Sequence, residues 1–476
     1  MLNQANNVFI VGIKGVAMAN LAVILNKMGK TVSGSDVREE FITDELLKKN
    51  KITWQVGFAA KKLSLNANLV IYSAAHQGNK NPQIREAIKR GIKVISQAEF
   101  LGQLSKQFKT IIAVCGCHGK TTTSSLLSYA FIKLGAKPSY MVGSSSFNTY
   151  SGGDFNGIDY FVVEADEYGV NPPQNKTPKF HYLKPDYILC TNIDFDHPDM
   201  YENISEVKKS FLKFFSRNVS INRLIDTSMN FCADDKNLMS VAKKLPRKSY
   251  LTYGYSSFAD LKVINAKSNE NNSEFELILK NKIIGKFNLD LFGEKNISNA
   301  AGVILTLLKL GFDATRIKRA IKDFTGPKRR FEKVYFKDGT FLFDDYAHHP
   351  NEIKATISAA RSRFPNKRIV IIFQPHTYSR TQALVKEFGE SLSLADKALI
   401  LPIFPSAREN PKNFNITSRD IEKDSRKKNI KAISSKKELI QLLTTNLKNQ
   451  DIVFTMGAGD VYKLKDGIID IVRKIK

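Results

Sequence analysis

Hydrophobic and polar residues alternate along this chain in two different periods. Short apolar runs such as VFIVG, LVIYSAA and KVIS are bounded by polar residues or glycine, which is typical of strands buried on both faces of a sheet. Between them, apolar residues recur at helical spacing over residues 18–28, over residues 43–50 and after Pro82. This alternation predicts a parallel sheet with crossover helices that ends near residue 107.

The same alternation starts again at about residue 108 and at about residue 326. The second region has the strands TIIAV, DYFVVEAD and DYILCTN, followed by FELILK and IIGKFNLDLF, which we expect to be antiparallel. Its helices are expected near 119–134, 295–310 and 313–322, and its polar run SNENNS predicts a turn. The third region alternates TFLFDDY, RIVIIFQP, KALILPIF and DIVFTMGAG with helices.

These patterns predict an α/β protein of three domains. At 476 residues the chain is too long for a single core, and about three domains of ~150 residues are expected. We predict a Rossmann-like domain at 1–107, a central α/β domain with extra antiparallel strands at 108–325, and a Rossmann-like C-terminal domain at 326–476. The basic segment TGPKRRF is the expected linker before the last domain.

The composition favours a cytoplasmic protein without a membrane span. No apolar run approaches the ~18 residues that a spanning helix requires, and the start MLNQANNVFIVG lacks the features of a signal peptide. The four cysteines are too few to staple a chain of this length and have no zinc-site spacing. We therefore expect reduced, buried thiols.

The formal net charge of +26 raises the alternative of a basic P-loop ATPase that acts on nucleic acid. The lysines are spread over nearly every predicted helix, however, and form no single arm or stripe with interleaved aromatic residues. A nucleic-acid motor also needs a separate acidic hydrolysis motif and a basic groove, which the sequence does not clearly contain. We interpret the charge as a lysine-rich surface that attracts anionic nucleotides, with no nucleic-acid partner.

The segment GCHGKTTT at 116–123 carries the strongest local signal for chemistry. It follows a strand ending at Val114 and places Lys120 and Thr121 at the start of a helix. Backbone amides and the ammonium group suit the β and γ phosphates of a nucleotide, and the threonine hydroxyl suits Mg²⁺. The central domain is therefore predicted to be P-loop ATPase-like.

Two further residues are candidates for a metal site beside this loop. Glu164 ends the strand FVVEAD, and His197 follows TNIDFD after the next strand. Both are expected at the carboxyl edge of one sheet. The oxygen donors of Glu164 and Thr121 suit Mg²⁺, whereas a histidine ligand is less usual for this cation. We nevertheless favour His197 as a ligand, because the acidic residues Asp194 and Asp196 are close to it in sequence.

The first and last domains each have a candidate ligand crevice. VGIKGVAM follows the first strand, and its glycines let the backbone approach a pyrophosphate, although Ala17 replaces the third glycine of a dinucleotide fingerprint. Asp36 ends the second strand and is placed to contact a ribose or a base. In the third domain, DDYAHHP and FQPHTYSR end two strands and are expected to face one crevice that holds a carboxylate or an ammonium group.

Taken in this order, the motifs resemble those of the Mur ligases. The resemblance runs from GIKGVAM through GCHGKTTT, EADEY, TNIDFDHPD, KNISNAAG and GPKRRF to DDYAHHPNEI, FQPHTYSRT and TMGAGD, and so covers nearly the whole chain. Within the family, the motifs are most similar to those of the members that join L-alanine to UDP-N-acetylmuramate. The resemblance implies that the first domain binds the uridine nucleotide, the second binds ATP and the third contacts the amino acid.

The resemblance also implies a reaction and its cofactors. ATP would convert the muramoyl carboxylate to an acyl phosphate, which the amino group of alanine then attacks, in cytoplasmic peptidoglycan precursor synthesis. Because water destroys an acyl phosphate, closure of the domains is expected to precede the chemistry. Mg²⁺ and ATP are the implied cofactors, UDP-N-acetylmuramate and L-alanine are the implied substrates, and the oligomeric state, monomer or homodimer, stays open.

Carried over by position, the resemblance implies the following site residues. The implied catalytic residues are Lys120, Glu164, His197, His348, His376 and Arg380, and the implied metal ligands are Thr121, Glu164 and His197. The implied ATP contacts are Gly116, Cys117, His118, Gly119, Lys120, Thr121, Thr122, Asn296, Asn299, Arg329 and Arg330. The implied contacts of the uridine substrate are Gly12, Gly15, Met18, Ser35, Asp36, Ser73 and Asn192. The implied amino-acid contacts are Asp345, Tyr346, His348, His376 and Arg380.

Three departures from the family pattern bear on the implied adenine contacts, which Lys295 puts in doubt, and on the choice of acceptor. Lys295 stands where the family usually has histidine, and Thr377 replaces an arginine that many members carry. The stretch GVNPPQNKTPKFHYLKPD after EADEY is longer than in typical alanine ligases and is more similar to the ligases that recycle a tripeptide onto UDP-N-acetylmuramate. The FQPHTYSRT motif has the alanine-ligase form. We favour alanine and keep tripeptide recycling as the alternative.

Overall fold

The computed structural model describes residues 5–221, 228–269, 272–405 and 409–475, and it contains three large sheets. The sheets have five, ten and six strands and follow one another along the chain. Helices lie between most of the strands. The predicted α/β fold class, with parallel sheets at both ends of the chain and a mixed central sheet, is confirmed.

The first sheet is entirely parallel and has the strand order β3-β2-β1-β4-β5. Its strands are β1 (Asn7–Val11), β2 (Thr31–Asp36), β3 (Thr53–Val56), β4 (Leu69–Tyr72) and β5 (Lys93–Ser96). Its helices are α1 (Val16–Lys27), α2 (Asp44–Lys49), α3 (Pro82–Lys89) and α4 (Gln97–Ser105). The direction of winding reverses between β1 and β4, and open α/β sheets bind ligands at the carboxyl ends of such a strand pair.

The central sheet is mixed and places the phosphate-loop strand in its interior. Its order is β17-β16-β15-β14-β13-β12-β6-β9-β7-β8, in which β6 pairs parallel with β12 and β9, and β7 pairs antiparallel with β8. The strands are β6 (Thr110–Cys115), β7 (Ser139–Phe147), β8 (Tyr150–Asp154), β9 (Tyr160–Glu164), β12 (Tyr187–Cys190), β13 (Met229–Cys232), β14 (Tyr250–Gly254), β15 (Leu261–Ser268), β16 (Ser273–Leu279) and β17 (Lys282–Leu289).

A separate two-stranded hairpin and five helices complete this region. The hairpin consists of β10 (Gly169–Asn171) and β11 (Asn175–Pro178), which pair antiparallel. The helices are α5 (Lys120–Lys133), α6 (Ile204–Ile221), α7 (Lys236–Ala242), α8 (Glu294–Lys309) and α9 (Ala314–Ile321). The long stretch after EADEY therefore begins with a hairpin at 169–178 and continues with a short 3-10 helix at Lys179–Tyr182, neither of which the sequence pattern predicts.

The third sheet has the order β18-β19-β23-β20-β21-β22 and is parallel apart from the β18–β19 pair. Its strands are β18 (Glu332–Lys337), β19 (Thr340–Asp345), β20 (Ile369–Phe373), β21 (Lys397–Ile400), β22 (Ile430–Ala432) and β23 (Ile452–Met456). Its helices are α10 (Pro350–Arg363), α11 (Tyr378–Ala383), α12 (Val385–Leu392), α13 (Ser418–Ser425), α14 (Lys436–Asn446) and α15 (Lys465–Lys474). All residues of β20 and β23 are buried, as expected of strands covered on both faces.

The chain forms two compact units. The first comprises Met1–Asn265, Phe275–Asn288 and Ser298–Pro327, and the second comprises Ala266–Glu274, Leu289–Ile297 and Lys328–Lys476. The first sheet and the phosphate loop thus belong to one unit. Each large sheet falls within one of the three predicted domains, whose boundaries stay a prediction.

Two expectations from composition can be compared with the structure. All four cysteines are free and buried, so the prediction of buried thiols is confirmed. None of the helices in the described parts of the chain has the length and apolar character needed to cross a membrane. Of the SNENNS segment, Ser268 ends β15 and Ser273 begins β16, while residues 270–271 lie outside the described residues.

Candidate active site

Two glycines with positive φ shape the loop between β6 and α5. Gly116 has φ 128° and Gly119, which caps α5, has φ 81°. Side-chain-bearing residues rarely adopt these backbone angles. At Gly116 a Cβ atom would also lie 2.2 Å from the Thr191 Oγ1, so only glycine fits. The tight approach turns the loop directly into the N-terminus of α5, where free amide groups favour a phosphate.

The loop is held from the strand end of β12. The His118 backbone amide donates to the Asn192 Oδ1 over 2.8 Å, and the Asn192 Nδ2 donates back to the His118 carbonyl over 2.8 Å. The Thr191 hydroxyl donates to the same carbonyl, and the His118 Nε2 lies 3.0 Å from the Asp194 Oδ2. Asn192, expected to contact the uridine substrate, therefore lies against the phosphate loop, and its contact with that substrate stays a prediction.

Lys120 is the mostly buried cation of this site, with its side chain 12% exposed. Its Nζ donates to the Gly116 carbonyl over 2.6 Å and to the Glu167 Oε2 over 2.7 Å. Burial alone would lower the pKa of Lys120, but the neighbouring carboxylates, above all that of Glu167, outweigh burial and raise the pKa above its ordinary range. The lysine therefore stays charged and is available to neutralise phosphate oxygens.

Thr121 and Glu164 are brought together as predicted. The Thr121 hydroxyl donates to the Glu164 Oε1 over 3.2 Å, and the Gly143 backbone amide donates to the Glu164 Oε2 over 2.8 Å. A hydroxyl and a carboxylate side by side are the hard oxygen donors that Mg²⁺ prefers. The donor chemistry of this pair fits the expected cation.

His197 lies beside a different carboxylate. Its Nε2 is 3.4 Å from the Glu167 Oε1 and 3.6 Å from the Asp196 Oδ2, and its ring packs edge-on against Tyr168 at 4.8 Å between centroids. Glu167 thereby contacts both His197 and Lys120. The metal-binding role of His197 stays a prediction.

Sequence reasoning missed the two acids at positions 166 and 167. Glu167 is 2% exposed and forms the buried ion pair with Lys120. Burial would raise the pKa of Asp166, but Lys179 and Lys120 outweigh burial and hold that pKa below its ordinary value. The EADE motif contained the signal, because it places three acids within four residues at a strand end beside the predicted phosphate loop.

Of the two asparagines expected near the adenine, Asn299 lies beside the loop. A Cβ atom at Gly119 would be 3.2 Å from the Asn299 Nδ2, and Asn299 is buried. The Asn296 Nδ2 donates to the Phe292 carbonyl over 2.8 Å, and Lys295 is exposed. Their predicted contacts with the adenine stay predictions.

The expected uridine crevice is built around Gly12 at the end of β1. Gly12 has φ 78°, and a Cβ there would lie 3.3 Å from the His76 ring and 3.4 Å from the Ser73 Oγ. Asp36 accepts from the Lys14 amide over 2.7 Å, and its Oδ1 lies 3.5 Å from the His76 Nε2. His76 was not predicted. Burial, the largest influence on its ring, lowers its pKa despite the nearby acids.

Three other residues of the expected uridine set form the frame of this crevice. Ser35 donates its hydroxyl to the Gln83 Oε1 over 2.5 Å, and its carbonyl accepts from the Gly12 amide over 2.9 Å. Gly15 caps α1, and Met18 is buried in the same helix. Their contacts with a ligand stay predictions.

In the second unit, the expected amino-acid residues cluster at the ends of β19 and β20. The His348 and His376 ring centroids are 6.2 Å apart, and the His348 Nδ1 lies 3.0 Å from the Tyr346 carbonyl. Arg380 is 3% exposed and donates to the His376 carbonyl over 3.3 Å. Thr377, one of the departures from the family pattern, has φ 72° and caps α11 by accepting from the Arg380 amide.

Asp345 is a buried carboxyl group at the same strand end. It accepts from the Phe331 amide over 2.9 Å and from the Ala347 amide over 2.8 Å. Burial raises its pKa to about 6, although Arg330 and these amides act in the opposite direction. Asp345 therefore titrates close to neutrality.

Arg329 is buried among residues of the second unit and donates hydrogen bonds to them. It is 7% exposed, its Nε donates to the Asp344 Oδ2 over 3.0 Å, and its Nη2 donates to the Gly457 carbonyl over 2.7 Å. Arg330 lies over the Tyr346 ring and donates to the Glu352 Oε1 over 3.4 Å. A phosphate contact of either arginine stays a prediction.

Three family models match the chain one after another. They are described as Mur ligase family, catalytic domain at residues 7–109, Mur ligase middle domain at 114–307, and Mur ligase, glutamate ligase domain at 329–459. A UDP-N-acetylmuramate--L-alanine ligase of Caldanaerobacter subterraneus subsp. tengcongensis is 35% identical over 472 residues, which cover 98% of this chain and 98% of that protein. The chain belongs to the Mur ligase family. The resemblance of the motifs is thereby confirmed.

Solved Mur ligases share the fold over the whole length of the chain. The UDP-N-acetylmuramate-alanine ligase of Thermotoga maritima matches with a TM-score of 0.78 at 23% identity and 98% coverage of both chains. A murein peptide ligase of Psychrobacter arcticus matches with a TM-score of 0.73 at 22% identity and 99% coverage of both chains. At these identities the two structures support the Mur ligase fold, and the acceptor has to be argued from other observations.

Proposed function

We propose that this Mur ligase joins L-alanine to the carboxyl group of UDP-N-acetylmuramate and uses ATP to activate that carboxylate. The proposal rests on full-length similarity to a ligase of that name at 35% identity. The observation that carries the chemistry is the mostly buried Lys120, which is charged, lies at the start of α5 and is next to the Thr121–Glu164 pair. Because both the donor and the acid substrate are nucleotides, we place the reaction in the cytoplasm, within peptidoglycan precursor synthesis.

In the first step, a carboxylate oxygen of the muramoyl group attacks the γ phosphorus of ATP. The bond between that phosphorus and the β–γ bridging oxygen breaks, and ADP leaves with the electron pair. Lys120 and the amides at the start of α5 offset the negative charge of the transferring phosphoryl group. Mg²⁺, when bound by the oxygens of Thr121 and Glu164, would add positive charge at the same phosphates.

In the second step, the amino group of alanine attacks the acyl carbon, and the resulting tetrahedral intermediate expels inorganic phosphate. The amine must lose a proton in this step. We assign the binding of the amine and the acceptance of its proton to the His348–His376 ring pair of the second unit. Arg380 supplies a cation for the alanine carboxylate. We assign the contacts of the uridine nucleotide to the Gly12 crevice, including His76.

The decisive experiment measures phosphate release with Mg-ATP and UDP-N-acetylmuramate and compares acceptors. Release that depends on L-alanine, with one phosphate per amide formed, is the expected result. Turnover with the tripeptide alone would overturn the choice of acceptor. Hydrolysis that needs DNA or RNA and ignores the uridine nucleotide would overturn the ligase assignment itself.

Two variants separate the proposed roles. Lys120→Ala is expected to abolish product formation, because the phosphoryl group loses its buried cation. His376→Ala is expected to raise the KM for alanine and to lower kcat while ATP binding stays near that of the wild type. If both variants lost nucleotide binding equally, the assignment of His376 to the amine would be wrong.

Tripeptide recycling is the second candidate because of one structural feature. The hairpin β10–β11 is the longer stretch that is similar to recycling ligases, and its Asn171 Nδ2 donates to the Asn79 Oδ1 over 3.3 Å, in the segment that follows β4. We expect a ligase that takes a larger acceptor to have a differently shaped wall where this hairpin meets the segment after β4. The comparison of acceptors described above decides between the two candidates.

A further inference from the structure

A cavity lies away from the residues assigned to either substrate. Its volume is about 500 Å³, and its walls come from α4, from the hairpin strand β11 and its following turn, and from α6. These elements belong to one compact unit. A volume of this size is within the range of ~300–1,000 Å³ that is usual for small-molecule sites.

The lining of this cavity is strongly cationic. Four lining side chains carry a fixed positive charge, Lys106, Lys184, Lys213 and Arg217, whereas Glu99 is the single lining carboxylate. Over the described parts of the chain, no carboxylate forms an ion pair with any of the three lysines, within 4.0 Å. When several side chains of one charge lie close together, side chains of the opposite charge usually balance them, because mutual repulsion otherwise destabilises the fold.

The positive potential also acts on a histidine in the wall. Burial and the charges of Lys213 and Arg217 lower the pKa of His181 to about 4. His181 is therefore neutral at pH 7, and the cavity keeps an excess of three positive charges from its four cations and Glu99. A neutral imidazole can donate or accept a hydrogen bond at a bound ligand.

The wall that carries these groups is held in place by packing within the chain. A Cβ atom at Gly102 of α4 would lie 2.4 Å from the Tyr182 carbonyl, so the helix backbone packs directly on the turn at 179–182. Phe180 of this turn is fully buried and stacks on Phe214 of α6 at 4.6 Å between centroids. The Arg217 Nη1 donates to the His181 carbonyl over 2.8 Å, which fixes one of the cations.

We propose that this cavity binds a small anion with a diphosphate group, at a site separate from the phosphate loop. A diphosphate carries about three negative charges near neutral pH and so balances the lining. Lysine and arginine side chains are common ligands of phosphate oxygens in proteins. A compact cluster of cations around a cavity of about 500 Å³ fits a small ligand better than a nucleic-acid strand, which needs an extended basic groove.

The test is a calorimetric titration of the full chain with sodium pyrophosphate in the Lys120→Ala background, which weakens phosphate binding at the loop. Lys213→Glu is the test variant because its side chain is exposed, so the fold tolerates the change. Lys208→Glu is the matched control, since it makes the same charge change on α6 but points ~140° away around the helix. We expect Lys213→Glu to weaken pyrophosphate binding about tenfold or more and Lys208→Glu to change it less than about twofold.

Three outcomes would overturn the proposal. Binding of pyrophosphate no tighter than that of sulfate at equal ionic strength would leave only general attraction to a basic surface. Equal weakening by Lys213→Glu and Lys208→Glu would point to the net charge and not to the cavity. Tighter binding of a single-stranded oligonucleotide than of pyrophosphate, again sensitive to Lys213→Glu, would assign the surface to nucleic acid.

Discussion

At the scale of single residues, one buried carboxylate organises the centre of the first unit. Glu167 accepts from Lys120 and lies beside His197, so a fixed negative charge stands between two residues that the family pattern implies in catalysis. A buried ion pair of this kind is costly to break, because one charge is then left without its partner. Glu167 is a positioning residue for the lysine and the histidine.

Glu167→Gln tests this role. The amide removes the negative charge but keeps the shape, so Lys120 and His197 lose their shared anionic partner. We expect kcat to fall about tenfold or more, since hydrogen bonds to charged groups contribute ~1.5–3 kcal/mol. We also expect the Mg²⁺ concentration for half-maximal activity to rise. Glu86→Gln, which removes a partly exposed ion pair with Arg90, is the control and should leave both quantities unchanged. Wild-type kcat and Mg²⁺ dependence in Glu167→Gln would contradict the assignment.

Asp345 gives a prediction about pH at the same scale. Its pKa is about 6 in the folded chain against an ordinary value of 3.8, so between these pH values the folded state binds more protons than the unfolded state. Stability from this group is therefore present at low pH and decreases as the pH rises from about 4 to about 6. The full difference corresponds to about 3 kcal/mol at ~1.4 kcal/mol per pH unit.

The measurement compares thermal unfolding of the wild type and Asp345→Asn from pH 4 to pH 7. We expect the variant, which does not titrate, to gain stability relative to the wild type as the pH rises. A constant difference between the two proteins over this range would show that the carboxyl group has an ordinary pKa.

At the scale of elements, the hairpin β10–β11 packs on the segment that follows β4. Gly78 in that segment has φ 52°, and a Cβ atom there would lie 2.4 Å from the Asn171 Oδ1 of the hairpin. The glycine therefore allows both a left-handed backbone and a close contact with a buried asparagine. The hairpin and the segment 73–78 together form one wall near the Gly12 crevice.

Gly78→Ala should disturb this wall. We expect a loss of stability of ~1–3 kcal/mol, from the left-handed backbone and from displacement of Asn171, together with a higher KM for UDP-N-acetylmuramate. In an Asn171→Ala background the steric part disappears, so the same substitution should cost less. Chemical unfolding of the four proteins measures the loss of stability in each background, and initial rates measure the KM for UDP-N-acetylmuramate. Equal losses in the two backgrounds would mean that the hairpin contact does not limit position 78.

At the scale of the whole molecule, the net charge of +26 should act on the nucleotide substrates. Screening of exposed charges becomes strong as the Debye length falls from ~10 Å at 0.1 M salt to ~3 Å at 1 M. We expect the KM values of ATP and UDP-N-acetylmuramate to rise several-fold between about 0.05 and 0.5 M salt. The KM of alanine, which has no net charge, is the internal control and should change little. Parallel changes in all three would indicate a general effect on the enzyme.

Much of the fold was predictable because strand and helix periods are local properties of the sequence. The helix after the phosphate loop was expected at 119–134 and spans Lys120–Lys133, and the loop itself follows from two glycines and a lysine at fixed spacing. The Thr121–Glu164 contact was also predictable, because both residues follow strands that end at one sheet edge. Spacing along the chain is sufficient for the helix and the loop, and the contact needs in addition only the rule that parallel strands end at one edge.

The sequence by itself determined the α/β class, the phosphate loop and the family, since these depend on local pattern and on motif order. Only the tertiary structure decided which residues meet: Glu167 between Lys120 and His197, Asn192 on the phosphate loop, and His76 beside Gly12. These contacts follow from strand order and from close packing between distant segments. The contact partners of such a residue are distant in the sequence, because they are set by which strand lies next to it in the sheet.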